Sequence, residues 1–205
     1  MFITKLMNFL AHIFLSGNST AIRIGNLLGE LVKGSLEHER NQNFSANVKQ
    51  GIRLHRQIDQ FTDQHLIVRK ALVELRKTQG KFAGIALDIL FDHFLAKYFE
   101  KFSDEKLTFF ADNFYAELKL NWHLLPTEIY PMANSMINRN WFLLYAEPEG
   151  LKWVFEGMSK RVKVENNLQS IYLLGDDELR FYQSCFDEFF PELQAFCADW
   201  LIENA

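Results

Sequence analysis

Residues 54–63 read LHRQIDQFTD. Wound as an α-helix at about 100° per residue, this segment places His55, Asp59, Thr62 and Asp63 on one stripe, with Leu54, Ile58 and Phe61 on an apolar face beside it. An imidazole and a carboxylate four residues apart can reach one ion together. Such a mixed nitrogen and oxygen set suits manganese, iron, magnesium or zinc rather than a thiolate-seeking metal. Taken alone, a pair at this spacing is more often a surface contact.

Residues 82–99, FAGIALDILFDHFLAKYF, change that weighting. The segment is apolar almost all round, so as a helix it is expected to be buried on most sides. It nevertheless carries Asp88 and Asp92, one turn apart and about 40° from each other, among Ile85, Leu95 and Phe99. A buried ionised carboxylate without a partner is strongly unfavourable, so this helix needs a cation, a hydrogen-bond donor or a proton there. Two readings stay open: a metal shared with the His55 stripe, or neutralisation by Arg53 and Arg56.

A chain of 205 residues, 48% hydrophobic and 23% charged, is long enough for one sizeable core, and a single domain over residues 1–205 is expected. Twenty phenylalanines point to a Phe-rich interior. The net charge of −4 argues against a general nucleic-acid binder. Charge is uneven, however: eight Lys/Arg against three acids lie between Lys49 and Lys81, and eight acids against Arg180 alone follow from Asp176. A local basic face can steer an acidic partner. Cys185 and Cys197 lack metal or redox spacing and read as reduced thiols, no apolar run is long enough for a membrane span, and a cytoplasmic location is expected.

Along the chain the pattern is helical throughout, with no strand-type alternation. Helices are expected over residues 21–33 ending at Gly34, from a Ser45 or Asn47 cap through the His55 stripe, and over 65–78 with Leu66, Val68, Leu72, Val73 and Leu75 inward. Others are expected from Ser103 to about residue 120, over 134–145, 149–160 and 168–174, and from Asp176, with a break at Pro191.

The runs NFLAH (8–12), GNLLGELVKG (25–34), GIRLHRQIDQFTD (51–63), LDILFDHFLAKYF (87–99) and GMSKR (157–161) resemble the acyl carrier protein phosphodiesterase family. The resemblance covers nearly the whole chain from Met7, so residues 1–6 read as an extension. It implies an all-α, single-domain helical bundle related to a divergent HD phosphohydrolase fold. It also implies a divalent metal, manganese before magnesium or iron, and removal of 4′-phosphopantetheine from holo acyl carrier protein. By position His12, His55, Asp59 and Asp92 match the family's motif residues, and Glu30 stands where the family usually has Asp. The HD pair appears in reverse order, as Asp92-His93.

These readings combine into one expected site. His12, Glu30, His55, Asp59 and Asp92 hold the metal, and His93 and Asp88 serve catalysis, with Asp88 alternatively orienting a ligand. Asn26, Arg53 and Arg56 contact phosphate, while Arg69, Lys70, Arg76, Lys77, Lys160 and Arg161 dock the carrier protein. Asp63 is expected to cap a helix end rather than bind metal. Two other functions compete: hydrolysis of a nucleotide or other small phosphodiester, and a non-catalytic helical binding protein.

Overall fold

A computed structural model describes residues 8–205; the expectation for residues 1–6 lies outside them. The all-α expectation holds: among the described residues there are helices and turns and no strand.

The site-bearing corner is built first. A short helix α1 (Phe9–Phe14) leads through a turn to α2 (Thr20–Gly29) and then α3 (Ala46–Gln64). The Ser45 hydroxyl oxygen accepts from the Val48 amide at 3.3 Å and caps α3, as its sequence position suggested. α2 stops at Gly29 rather than running to Lys33. Beyond it the chain is held by Arg56, whose guanidinium donates to the carbonyls of Val32 and Gly34 at 3.0 and 2.8 Å. α2 and α3 meet backbone to backbone. A Cβ on Gly25 would lie 2.1 Å from the Val48 carbonyl oxygen, and one on Gly51 would lie 2.1 Å from that of Ile22. Only glycine permits this approach.

α4 (Leu66–Gln79) turns at Gly80, where φ is +53°, into α5 (Ala83–Lys97). α5 is the axis of the core: nearly every residue from Ala83 to Ala96 is buried, as its all-round apolar pattern predicts. α4 corrects the expected inward set. Val68 and Leu75 are buried, whereas Leu66 is 77% and Val73 55% exposed. Both lie off the narrow stripe through Val68, Ala71, Leu75 and Gln79 that faces α5 and α10 (Asp176–Glu203).

α6 (Leu107–Leu120) is followed by α7 (Tyr130–Asn138) and α8 (Trp141–Ala146). The sequence pattern ran the last two together. Asn140 separates them by adopting a left-handed φ of 48°, from which its side chain caps α8 through Leu143. α9 (Pro148–Arg161) and a 3-10 turn at Leu168–Leu173 precede α10. α10 runs unbroken through Pro191, contrary to the expected interruption. An interior proline costs about 3 kcal/mol. Phe189 and Phe190 before it and Leu193 after it are buried, and each such side chain contributes roughly 1.5–3 kcal/mol, so packing holds both halves in line. Aromatic contacts link α5 to α10, with Phe91 and Phe186 ring centres 5.4 Å apart and Phe91 and Phe189 at 5.7 Å.

Candidate metal centre

His12 on α1, Asn26 on α2 and His55 on α3 are brought together by the glycine crossing. A Cβ on Gly29 would lie 2.2 Å from the His55 ring, so that glycine leaves room for the imidazole. The His12 and His55 rings stack at 4.2 Å. Asn26, fully buried, sits behind both. Its amide nitrogen donates to the His12 carbonyl at 2.9 Å and to Ser16 Oγ at 2.8 Å, and Ser16 in turn donates to the His12 carbonyl. That fixes the amide orientation and turns Oδ1 toward the imidazoles. Oδ1 lies 2.7 Å from His12 Nδ1 and 3.2 Å from His55 Nδ1. An oxygen can only accept, so both Nδ1 atoms carry hydrogens, and the lone pair of each neutral ring is on Nε2.

Those lone pairs face carboxylates. His12 Nε2 is 3.5 Å from Asp59 Oδ1, and His55 Nε2 is 3.5 Å from Asp59 Oδ2 and 3.6 Å from Glu30 Oε2. These separations are longer than an ordinary hydrogen bond. Burial lowers the His55 pKa below its ordinary value, and neighbouring His12 lowers it further against the opposing pull of Glu30 and Asp59. His12 Nε2 and Glu30 Oε2 are buried without a hydrogen-bond partner. A metal bonded at about 2.1 Å holds adjacent donor atoms roughly 3.0–3.5 Å apart. The donor set therefore fits a divalent cation: His12, His55 and Asp59 each offer an atom within 4.8 Å of the others. Glu30 adjoins this triad through His55 and also pairs with Lys33 at 3.3 Å.

Other expected residues are placed differently. Asp92 is outside the close triad. Its oxygens accept from the Leu10 and Ala11 amides at 3.0 and 2.9 Å, so it caps α1 and thereby aims His12. Burial raises its pKa well above the carboxylate range, and those two amides oppose the rise. His93 Nδ1 donates to the Tyr145 carbonyl at 2.6 Å, tying α5 to α8, and burial lowers its pKa. The neighbouring Asp92 and His93 thus serve different helices. Asp88 is half-buried on α5. Asn26 orients the histidines, and its amide nitrogen donates to the His12 carbonyl and to Ser16. Arg53 pairs with Glu37 at 3.4 Å, and Arg56 holds the loop after α2, so neither is drawn to Asp92. Arg69, Lys70, Arg76 and Lys77 are exposed on α4, as are Lys160 and Arg161 at the end of α9.

The family model for acyl carrier protein phosphodiesterase matches residues 7–193. This chain belongs to that family. A relative named acyl carrier protein phosphodiesterase from Photorhabdus laumondii subsp. laumondii is 28% identical over 90% of this chain and 92% of its own length. Relatives of the same name from Escherichia coli, O157:H7 and the K12 strain among them, are 30% identical over 92% of this chain and 96% of theirs. No solved structure matches. Among the described residues no helix is long and apolar enough to cross a membrane.

Proposed function

We propose that this protein hydrolyses the phosphodiester joining 4′-phosphopantetheine to the serine of holo acyl carrier protein, releasing the apo carrier. The supporting observation is the convergence of the two imidazole Nε2 atoms on the Asp59 and Glu30 carboxylates, with donor atoms of His12, His55 and Asp59 all within 4.8 Å of one another. His12, His55 and Asp59 would hold a divalent ion, manganese in this reading, with Glu30 as the adjoining carboxylate. Such an ion lowers the pKa of bound water and draws charge from phosphoryl oxygens. Asn26 keeps both Nε2 atoms aimed at that point, and the Asp92 cap fixes the start of the helix carrying His12. The cleft in front is lined by Asn8, Phe9, Ile13 and Leu27, which keep bulk water from the reacting bond.

Docking is assigned to Arg69, Lys70, Arg76 and Lys77, with Lys160 and Arg161 as the second basic group. These charges would meet the acidic surface of the carrier protein and act on encounter rate. A cytoplasmic location and a single functional domain accompany this reading. Mass spectrometry of holo carrier protein incubated with the protein and manganese should show loss of the prosthetic group. Retention of the full mass, with manganese bound, would refute the activity.

A further inference from the structure

The segment that follows α2 is neither helix nor strand, yet its backbone is held at every residue from Val32 to Ser35. The carbonyls of Val32 and Gly34 accept from Arg56, that of Lys33 from Arg40, and that of Ser35 from Asn41 at 2.9 Å. Asn41 is itself buried, and Gly34 takes a left-handed φ of +79° that suits glycine. Surface loops ordinarily leave such carbonyls to water. Ordering two arginines around one short stretch costs rotamer freedom, so the stretch is fixed for a reason beyond satisfying its carbonyls.

What the held stretch presents is Lys33. Its side chain is 61% exposed, and its ammonium donates to Glu30 Oε1 at 3.3 Å. The other Glu30 oxygen, Oε2, is buried, lacks a hydrogen-bond partner and faces His55 Nε2 at 3.6 Å. One carboxylate therefore stands between the lysine and the candidate metal centre, with a positive charge on one side and His55 Nε2 on the other. A lysine ammonium has three donors. Glu30 accepts from one, and the exposure of the side chain opens the others to an incoming anion.

Charge balance at the centre calls for such a group. A divalent ion held by neutral His12 and His55 and by the carboxylates of Asp59 and Glu30 is left with no net charge for a diester anion. Negative charge on phosphoryl oxygens is commonly met by a Lys or Arg beside the metal. The two arginines expected to contact phosphate are engaged elsewhere: Arg53 pairs with Glu37, and Arg56 donates to the loop carbonyls.

We infer that Lys33 binds a non-bridging oxygen of the substrate phosphodiester, with Glu30 and the held loop setting its position. The inference rests on the proposed function. Arg40, Asn41 and Arg56 are positioning residues in this account: they hold the backbone that carries Lys33 and touch no substrate.

The test uses dimethyl phosphate, a diester anion that resists hydrolysis, and reads its binding to the manganese-loaded protein from saturable broadening of the phosphorus resonance. Lys33→Gln should weaken that binding about ten-fold, whereas Lys33→Arg, which keeps the charge, should stay within about three-fold of the unsubstituted protein. Lys33 is exposed, so neither change threatens the fold. Manganese affinity by calorimetry should move less than about three-fold in Lys33→Gln, because Glu30 is left in place. Equal diester affinity in Lys33→Gln and the unsubstituted protein overturns the assignment, as does the absence of saturable broadening. A ten-fold loss of manganese affinity in Lys33→Gln also overturns it, since the lysine would then act only by holding Glu30. None of these readings depends on turnover. Diester binding that needs Lys33, in a protein that leaves holo carrier protein intact, removes the proposed function alone. Hydrolysis of the carrier with diester binding indifferent to Lys33 removes the lysine alone.

Discussion

The corner formed by α1, α2 and α3 and the corner formed by α5 and α8 both bury imidazoles and carboxyl groups, but they finish the bonding differently. At α5 and α8 the bonds close within the protein: both Asp92 oxygens accept backbone amides and His93 donates to the Tyr145 carbonyl. Around His12 and His55 every Nδ1 is satisfied while the Nε2 atoms face the Asp59 and Glu30 carboxylates at 3.5–3.6 Å. Burial of titratable groups is common to both corners and so does not mark a metal site. Donor atoms of three such side chains gathered within 4.8 Å of one another do. The same polar residue types therefore act as a brace in one place and as an open coordination sphere in the other.

Substitution of Asp59 presses hardest on this contrast. Asp59→Asn should reduce manganese affinity and carrier-protein hydrolysis by more than the roughly 100-fold that marks groups which merely orient a ligand. Manganese binding by calorimetry at the unsubstituted affinity would show that Asp59 is not a ligand. Asn26→Leu keeps the bulk and loses the acceptor, freeing both imidazoles to change tautomer. Its expected cost is about 10- to 100-fold in manganese affinity. An unchanged affinity would mean the histidines are aimed by something else.

At the braced corner the signs reverse. Asp92→Asn should lower the melting temperature by about 3–10 °C, since one α1 amide loses its acceptor at about 1–3 kcal/mol and a chain of this length shifts about 2–4 °C per kcal/mol. Manganese affinity should change less than about ten-fold. A large loss of metal with an unchanged melting temperature would move Asp92 into the coordination sphere. Acid titration probes both corners more gently. Burial lowers the pKa of His55 and of His93 below 6.5, so below that pH the unfolded chain takes up protons that the folded one resists. The two imidazoles therefore contribute a loss of stability as pH falls below 6.5, opposed by Asp92, whose raised pKa lets the folded chain keep a proton that the unfolded one releases; in the metal-free Asp92→Asn variant, which lacks that opposing group, stability should decline on acidification below 6.5. A melting temperature of Asp92→Asn that rises on acidification through this range would contradict neutral buried imidazoles.

The sequence exposed the parts of this arrangement that follow from periodicity. The His55 and Asp59 stripe, the buried α5 and the Ser45 cap each depend on neighbours along one helix, and all three are where the pattern placed them. Asn26, Asp92 and His93 depend on which helix lies opposite. Nothing in GNLLGE states that the Asn26 amide will face two imidazoles, because Ser16 and the His12 carbonyl, which orient it, come from a different element. Asp92 in turn had no visible partner along its own apolar helix. The partner was the amide end of α1, 81 residues away for Ala11 and carrying no side-chain signature. His12 was reached through family resemblance, since its segment alone suggests only a core histidine.

The glycine crossing has a further consequence for how the protein can be altered. Replacing helical glycine by alanine ordinarily stabilises a helix by about 0.5–1 kcal/mol. At Gly25 and Gly51 that route is closed, because the new methyl group would meet carbonyl oxygen at 2.1 Å and wedge the two helices apart. Side chains in the phenylalanine layer can change rotamer to absorb a lost methylene; two touching backbones cannot. The separation of His12 and His55 is consequently insulated from drift in the core, and mutations accumulated around α10 can erode thermal endurance while the coordination geometry stays in calibration.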